Sequence, residues 1–204
     1  EHGKIARNLF VTEASLAGKL VHPHIVQIYD AVADADPSYI VMEYVAGGTL
    51  EPYCTPDRLL PMIDLVEMIF KCTRALDFAY RLCVIHRDLK PANILRAGSS
   101  GSDVKISDFG AALSASSDQT AVAGIGSPAY MSPQQVKDHP LNHQSDIFSL
   151  GVVMYQLLTG QLPFQGSNNI SIVYQIANVE PPPPSALRKG IPPAVDAIVM
   201  RAMK

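Results

Sequence analysis

Apolar residues along the chain follow two different periods, and the change between them outlines the elements. In residues 12–20, Ala14, Leu16, Ala17 and Leu20 share one side, with Glu13 near its polar edge, which predicts the end of an amphipathic helix. His22-Pro23 stops it, because the residue before a proline is pushed out of the helical region. Residues 25–29 and 39–45 are rich in β-branched and aromatic side chains and predict two strands, with Asp34-Ala35-Asp36-Pro37-Ser38 as turn chemistry between them. Ala46-Gly47-Gly48-Thr49 ends the second strand in a flexible stretch. In residues 61–83, Met62, Val66, Ile69, Thr73, Leu76 and Tyr80 step by fours and threes, one face of a long helix with Pro61 in its first turn. Residues 93–95 and 104–106 predict short strands joined by a polar hairpin loop, and residues 114–127 are small and polar. Residues 146–159 predict a strongly apolar helix stopped by Gly160, and 170–177 and 193–203 predict further helices. The prolines of 181–184 read as a stiff connector, the alternative being a polyproline ligand. A few strands followed mostly by helices is the order of an α+β fold whose helices form their own layer.

Composition narrows the function classes. Hydrophobic residues make up 48% of the 204 positions and charged residues 17%, which is enough apolar surface for a sizeable core. The net charge is −3 and the longest basic run is Arg188-Lys189, so binding of nucleic acid through phosphate neutralisation is not expected. Cys54, Cys72 and Cys83 form no redox or metal-binding pair; they are expected to be small buried hydrophobes in a reducing, cytoplasmic compartment. The longest apolar stretch, 147–158, contains Ser149 and Gln156 and is too short to span a bilayer, so no membrane segment is expected here. His22 with His24, and His139 with His143, have zinc-like spacing, but neither pair has a cysteine or third ligand, and ordinary loop histidines are expected.

Chemistry concentrates after the long helix. His86-Arg87-Asp88-Leu89-Lys90-Pro91-Ala92-Asn93 fits the pattern H-R-D-L-x-x-x-N at its five fixed positions. A chance match of that kind in a chain this size occurs on the order of once in ten thousand sequences. Asp108-Phe109-Gly110 follows a strand, twenty residues after Asp88. Phosphoryl transfer needs in-line positioning and neutralised charge more than covalent help from the protein. Asp88 fits the carboxylate beside an attacking hydroxyl. Asp108 and Asn93 supply a carboxylate and an amide oxygen for Mg2+, a hard ion that prefers oxygen. Lys90 is placed to offset charge on the transferred phosphate.

These motifs resemble the catalytic domain of eukaryotic-type protein kinases, with a flavour closest to bacterial Ser/Thr kinases, over essentially the whole chain. The resemblance implies a two-lobed α+β fold. Residues 1–45 would be a partial N-lobe with the family's αC helix, two strands and the hinge; residues 46–204 would be the C-lobe. It implies an ATP- and Mg2+-dependent enzyme acting on Ser/Thr hydroxyls of protein substrates, with a homodimer as a route to autophosphorylation. Because His22-Pro23-His24-Ile25-Val26 resembles a family segment that follows αC, Glu13 is implied as the αC glutamate. Met42 would be the gatekeeper, the backbone of Glu43 and Val45 would bond the adenine edge, and Leu95 would pack beneath the ring. Ile28, Ala17, Phe109 and His86 would stack as a spine between the lobes, and Asp146 would hold the backbone of the catalytic loop. Gly126-Ser127-Pro128-Ala129-Tyr130-Met131-Ser132-Pro133 resembles the end of the activation segment. Arg87 would receive a phosphorylated residue of that segment, with Thr120 the first candidate, Ser116 and Ser117 lesser ones, and Ser127 part of the regulatory set.

The sequence also departs from the family pattern. A Gly-rich loop and a strand with the nucleotide-binding lysine are not found ahead of Glu13. Lys4 lies in no such strand and is not assigned that role, although pairing with Glu13 is the alternative. Residues 201–204 stop within a helical pattern. The expectation is therefore a catalytic domain truncated at both ends and weakly active as an isolated piece. Gln134 stands where the family has a glutamate that pairs with an arginine, so the activation segment is expected to be less firmly anchored. The competing function is a pseudokinase, a binding or scaffold module on the same fold.

Overall fold

In the computed structural model, which describes residues 18–32, 35, 37–98, 101–109 and 128–204, the early strands form an antiparallel pair. Strand β1 (Ile28–Val32) lies beside β2 (Tyr39–Met42), with Val32 opposite Tyr39 and Ile28 opposite Met42. Both differ from the spans expected from propensity. Ile25 and Val26 are drawn to other partners: Ile25 bridges Ile106, and the Val26 N–H donates to the Ile106 carbonyl at 2.9 Å. Both side chains are buried there, so burial rather than local preference decides their pairing. Beyond Met42, the Glu43 N–H still donates to the Gln27 carbonyl at 2.8 Å, and the chain then turns away.

Helix α1 (Met62–Arg81) forms where expected, with Pro61 just outside it as the capping residue. Its buried face overlaps the expected stripe in part: Leu76 is buried, and Met62 and Ile69 pack against the core. Leu65, Met68, Cys72, Ala75, Leu76 and Ala79 face the core, whereas Val66, Thr73 and Tyr80 are exposed. Two stripes of this helix satisfy a 3.6-residue period. The inward one carries the small residues Cys72, Ala75 and Ala79, which allow a second helix to approach closely.

Strands β3 (Ile94–Arg96) and β4 (Val104–Ile106) form the second antiparallel pair, Leu95 opposite Lys105. The segment after β2 crosses over β3: the Arg96 N–H donates to the Gly48 carbonyl at 2.8 Å, and Thr49 bridges Leu95. The crossing is close enough that a Cβ on Gly47 would run into the Arg96 carbonyl, so only glycine fits.

The remaining helices are α2 (Pro133–Val136), α3 (His143–Thr159), α4 (Asn169–Asn178), α5 (Pro184–Leu187) and α6 (Pro193–Ala202). Helix α3 is buried on nearly every side, as its all-round apolar sequence requires, with α1 and α6 packed against it. It begins before residue 146 because the Asn142 side chain accepts the Gln144 N–H at 2.8 Å. It ends at Gly160 in the left-handed conformation (φ 73°), as expected. The proline tract connects α4 to α5 with Pro181 and Pro184 buried. The result is α+β, as the order of elements implies, with a core running from Ile25 and Ile106 through α1 and α3 to Val199. No described helix is long and apolar enough to cross a membrane. Of the cysteines, Cys72 is buried and Cys54 partly so. Cys83 is exposed, contrary to expectation, because it follows the end of α1 in a turn with φ 60°.

Candidate active site

The loop between α1 and β3 is pinned at a residue of positive φ. Arg87 has φ 70°, a conformation that a non-glycine residue keeps only when its surroundings hold it. Asp146, buried in the first turn of α3, accepts the His86 N–H at 2.7 Å and the Arg87 N–H at 2.8 Å. Burial pushes the Asp146 carboxyl above the usual carboxylate range, against the pull of His86, the two N–H donors and the Arg87 charge. The Arg87 carbonyl in turn accepts from the Gln135 carboxamide at 2.7 Å. His86 is fully buried and joins the loop to the segment after β4. Its Nδ1 accepts the Asp88 N–H at 3.3 Å, so Nε2 is the donor to the Ser107 carbonyl at 2.8 Å. Its ring lies edge-on to Phe109, centroids 4.6 Å apart.

Three of the expected catalytic side chains meet on this frame. Lys90 Nζ lies 2.7 Å from Asp88 Oδ2, and Asn93 Nδ2 donates to the Asp88 carbonyl at 2.8 Å and to Oδ2 at 3.3 Å. Asn93 is buried, while the Asp88 and Lys90 side chains are 49% and 37% exposed and open to a substrate. With the Asn93 amino group directed at Asp88, its Oδ1 is the end free to meet a ligand. The fourth residue, Asp108, is tied to the same place through Ser107. The Ser107 N–H donates to the Asn93 carbonyl at 2.9 Å, and the Ser107 hydroxyl to Asp108 Oδ2 at 3.0 Å. Asp108 is exposed, with φ 59°. An amide oxygen and a carboxylate are hard donors that suit Mg2+. Among the described residues no group of three or more His, Cys, Asp or Glu could hold a metal, so an ion held by these two would take its remaining oxygens from a ligand or water.

Met42 ends β2, Glu43 and Val45 follow it, and Leu95 lies in β3 where residues 47–49 cross. Met42 is 44% exposed, Val45 partly buried beyond the strand, and Leu95 half-buried beneath Thr49. The Glu43 N–H is already engaged by Gln27, which leaves its carbonyl to offer. Its side chain pairs with Lys105 Nζ at 2.8 Å and accepts the Gln27 N–H at 3.2 Å. Burial alone would raise the Glu43 pKa, but those two hydrogen bonds and the Lys105 charge hold it below the usual glutamate range.

Glu13, Thr120, Ser127, Ala17, Lys4, Ser116 and Ser117 lie outside the described residues. Arg87 Nε and Gln134 Oε1 are buried without a hydrogen-bond partner. One histidine of each pair lies against an aromatic ring: His22 stacks on Phe78 with centroids 5.2 Å apart, and the His143 ring centroid lies 4.3 Å from that of Tyr80. Sequence reasoning missed Ser107 and Gln135. Only the second left a signal, Ser132-x-x-Gln135, a spacing that caps helices.

A family model described as protein kinase domain matches residues 1–188. Serine/threonine-protein kinase PknB of Mycobacterium leprae is 41% identical over 202 residues, which is 95% of this chain and 32% of that protein. PknB of Mycobacterium tuberculosis is 38% identical over the same shares. A probable serine/threonine-protein kinase of Clostridium acetobutylicum is 34% identical over 197 residues, 96% of this chain and 30% of that protein. The chain therefore belongs to the protein kinase family, and it spans about a third of the length of these curated relatives.

Proposed function

We propose that this chain carries the catalytic centre of a protein serine/threonine kinase, transferring the γ-phosphoryl group of ATP to Ser/Thr hydroxyls of protein substrates. The observation that carries the reading is the gathering of Lys90 and Asn93 on one oxygen of Asp88, on a loop joined through Ser107 to Asp108. Asp88 accepts the proton of the attacking hydroxyl, and Lys90 offsets charge on the transferred phosphate. Asn93 Oδ1 and the Asp108 carboxylate would hold Mg2+, which when bound neutralises charge on the phosphates. The Glu43 carbonyl and Val45 N–H receive the adenine edge, with Met42 behind it and Leu95 beneath, and Glu13 completes the nucleotide-binding set as the αC glutamate. In this reading residues 1–45 belong to the N-lobe and 46–204 to the C-lobe.

Regulation falls to Arg87, whose buried unpaired Nε supports its role as receiver of a phosphate on Thr120, near Ser127, placed there by a second copy of the chain. The requirement for ATP and the free thiols support a cytoplasmic location. Among the described residues an acid, an amide and an ammonium group are present at the motif positions, which supports an enzyme over a binding-only pseudokinase. The test is incubation of the full-length protein with γ-labelled Mg-ATP and a protein acceptor, followed by phosphoamino-acid analysis. Label on serine or threonine supports the reading; nucleotide binding without transfer would return it to the pseudokinase.

A further inference from the structure

Gln135 contributes both ends of its carboxamide to separate tasks. Its Oε1 accepts the Ser132 N–H at 2.9 Å, while the Ser132 hydroxyl accepts the Gln135 N–H at 3.3 Å, which together cap α2. Because Oε1 faces an N–H, the amino end is fixed in the opposite direction, where it donates to the Arg87 carbonyl at 2.7 Å. Gln135 is 6% exposed and Arg87 half-buried, so this bond is partly shielded from water. Arg87 is the residue with φ 70°, and its N–H is held by Asp146. Asp146 and Gln135 thus grip Arg87 from both ends. Its carbonyl belongs to the peptide that leads into Asp88, and rotation of that peptide would swing the Asp88 side chain.

We propose that Gln135 is a positioning residue for the reaction: its carboxamide, at the start of α2, fixes the Arg87–Asp88 peptide and with it the direction of the Asp88 carboxylate. The inference rests on the kinase reading and adds to it a direct link between the segment bearing α2 and the catalytic loop. Capping and clamping are separable by substitution. Gln135→Glu keeps an oxygen for the Ser132 N–H and cannot donate to Arg87 when ionised. Gln135→Met removes the donor and, with it, the Oε1 acceptor of the cap, without adding charge, so Gln135→Glu against Ser132→Ala is the separating comparison. Ser132→Ala weakens the cap and leaves the donor in place.

The test measures steady-state kinetics and hydrogen exchange of the 84–95 region in the full-length protein. Gln135→Glu and Gln135→Met lower kcat by about tenfold with the KM for ATP within about twofold, the size a single partly shielded hydrogen bond commands. Both speed exchange at residues 84–95, while Ser132→Ala leaves kcat and loop exchange near wild type. Equal effects from Ser132→Ala and Gln135→Glu, or unchanged loop exchange in both Gln135 variants, would overturn the proposal. A wild-type protein that transfers no phosphate would defeat the kinase reading instead, and the exchange arm would still decide whether Gln135 holds the loop.

Discussion

Asp146 in α3 accepts the backbone N–H of Arg87 at 2.8 Å across 59 positions of sequence. With the His86 N–H at 2.7 Å, one buried carboxylate satisfies two consecutive loop donors. Removing it strands both. Asp146→Ala is expected to destabilise the fold by about 3–5 kcal/mol, and Asp146→Asn, which keeps one acceptor, by about 1–2 kcal/mol. Urea unfolding gives both values. Equal losses would mean that the side chain acts by volume rather than as a double acceptor.

Glu43 and Lys105 tie the end of β2 to β4 with a contact of 2.8 Å, their side chains 26% and 19% exposed. Because folding depresses the Glu43 pKa, its contribution is fully present above the ordinary glutamate value of about 4.3 and is lost as pH falls through the lowered value. Glu43→Gln should therefore cost about 1 kcal/mol near neutral pH, and the difference from wild type should begin to shrink as pH falls below the ordinary glutamate value and vanish only below the lowered folded-state value. Thermal melts of both proteins across pH 3–7 measure it.

The thiols should react in a fixed order. Burial pushes Cys72 up to about 12, and burial with the nearby Glu51 charge does the same for Cys54. Cys83 is exposed. Mass spectrometry after brief alkylation at neutral pH should find the label on Cys83, with Cys54 and Cys72 modified only on unfolding.

Gly47 lies where the chain crosses β3, and a Cβ there would meet the Arg96 carbonyl carbon at 2.8 Å. Gly47→Ala should push the crossing away from Leu95, lowering stability by about 1–3 kcal/mol and weakening ATP binding. Calorimetric titration with ATP together with a melting curve checks both effects.

Much of this was legible before any coordinates. The apolar run of α3, its Gly160 stop and the catalytic motif all rest on local chemistry, which sequence carries directly. What was not legible depended on distant partners. Ile25 and Val26 have strand-forming side chains, yet they pair with Ile106 because it offers a buried place. Val66, Thr73 and Tyr80 fit the helical period as well as Leu65, Met68 and Cys72 do, and only the approach of α3 selects between the faces. Ser107 is an ordinary serine until the fold sets it between Asn93 and Asp108. Gln135 announces a helix cap, while its bond to Arg87 exists only in three dimensions.

The central claim is a division of labour, with Asp88 serving the attacking hydroxyl and Asp108 the metal-bound nucleotide. The most direct measurement compares Mg-ATP affinity and the phosphoryl-transfer rate in wild type, Asp88→Asn and Asp108→Asn. The account predicts that Asp88→Asn binds Mg-ATP as wild type does but transfers about 10²–10⁴-fold more slowly, whereas Asp108→Asn loses the magnesium-dependent part of nucleotide affinity. Wild-type transfer by Asp88→Asn would contradict it.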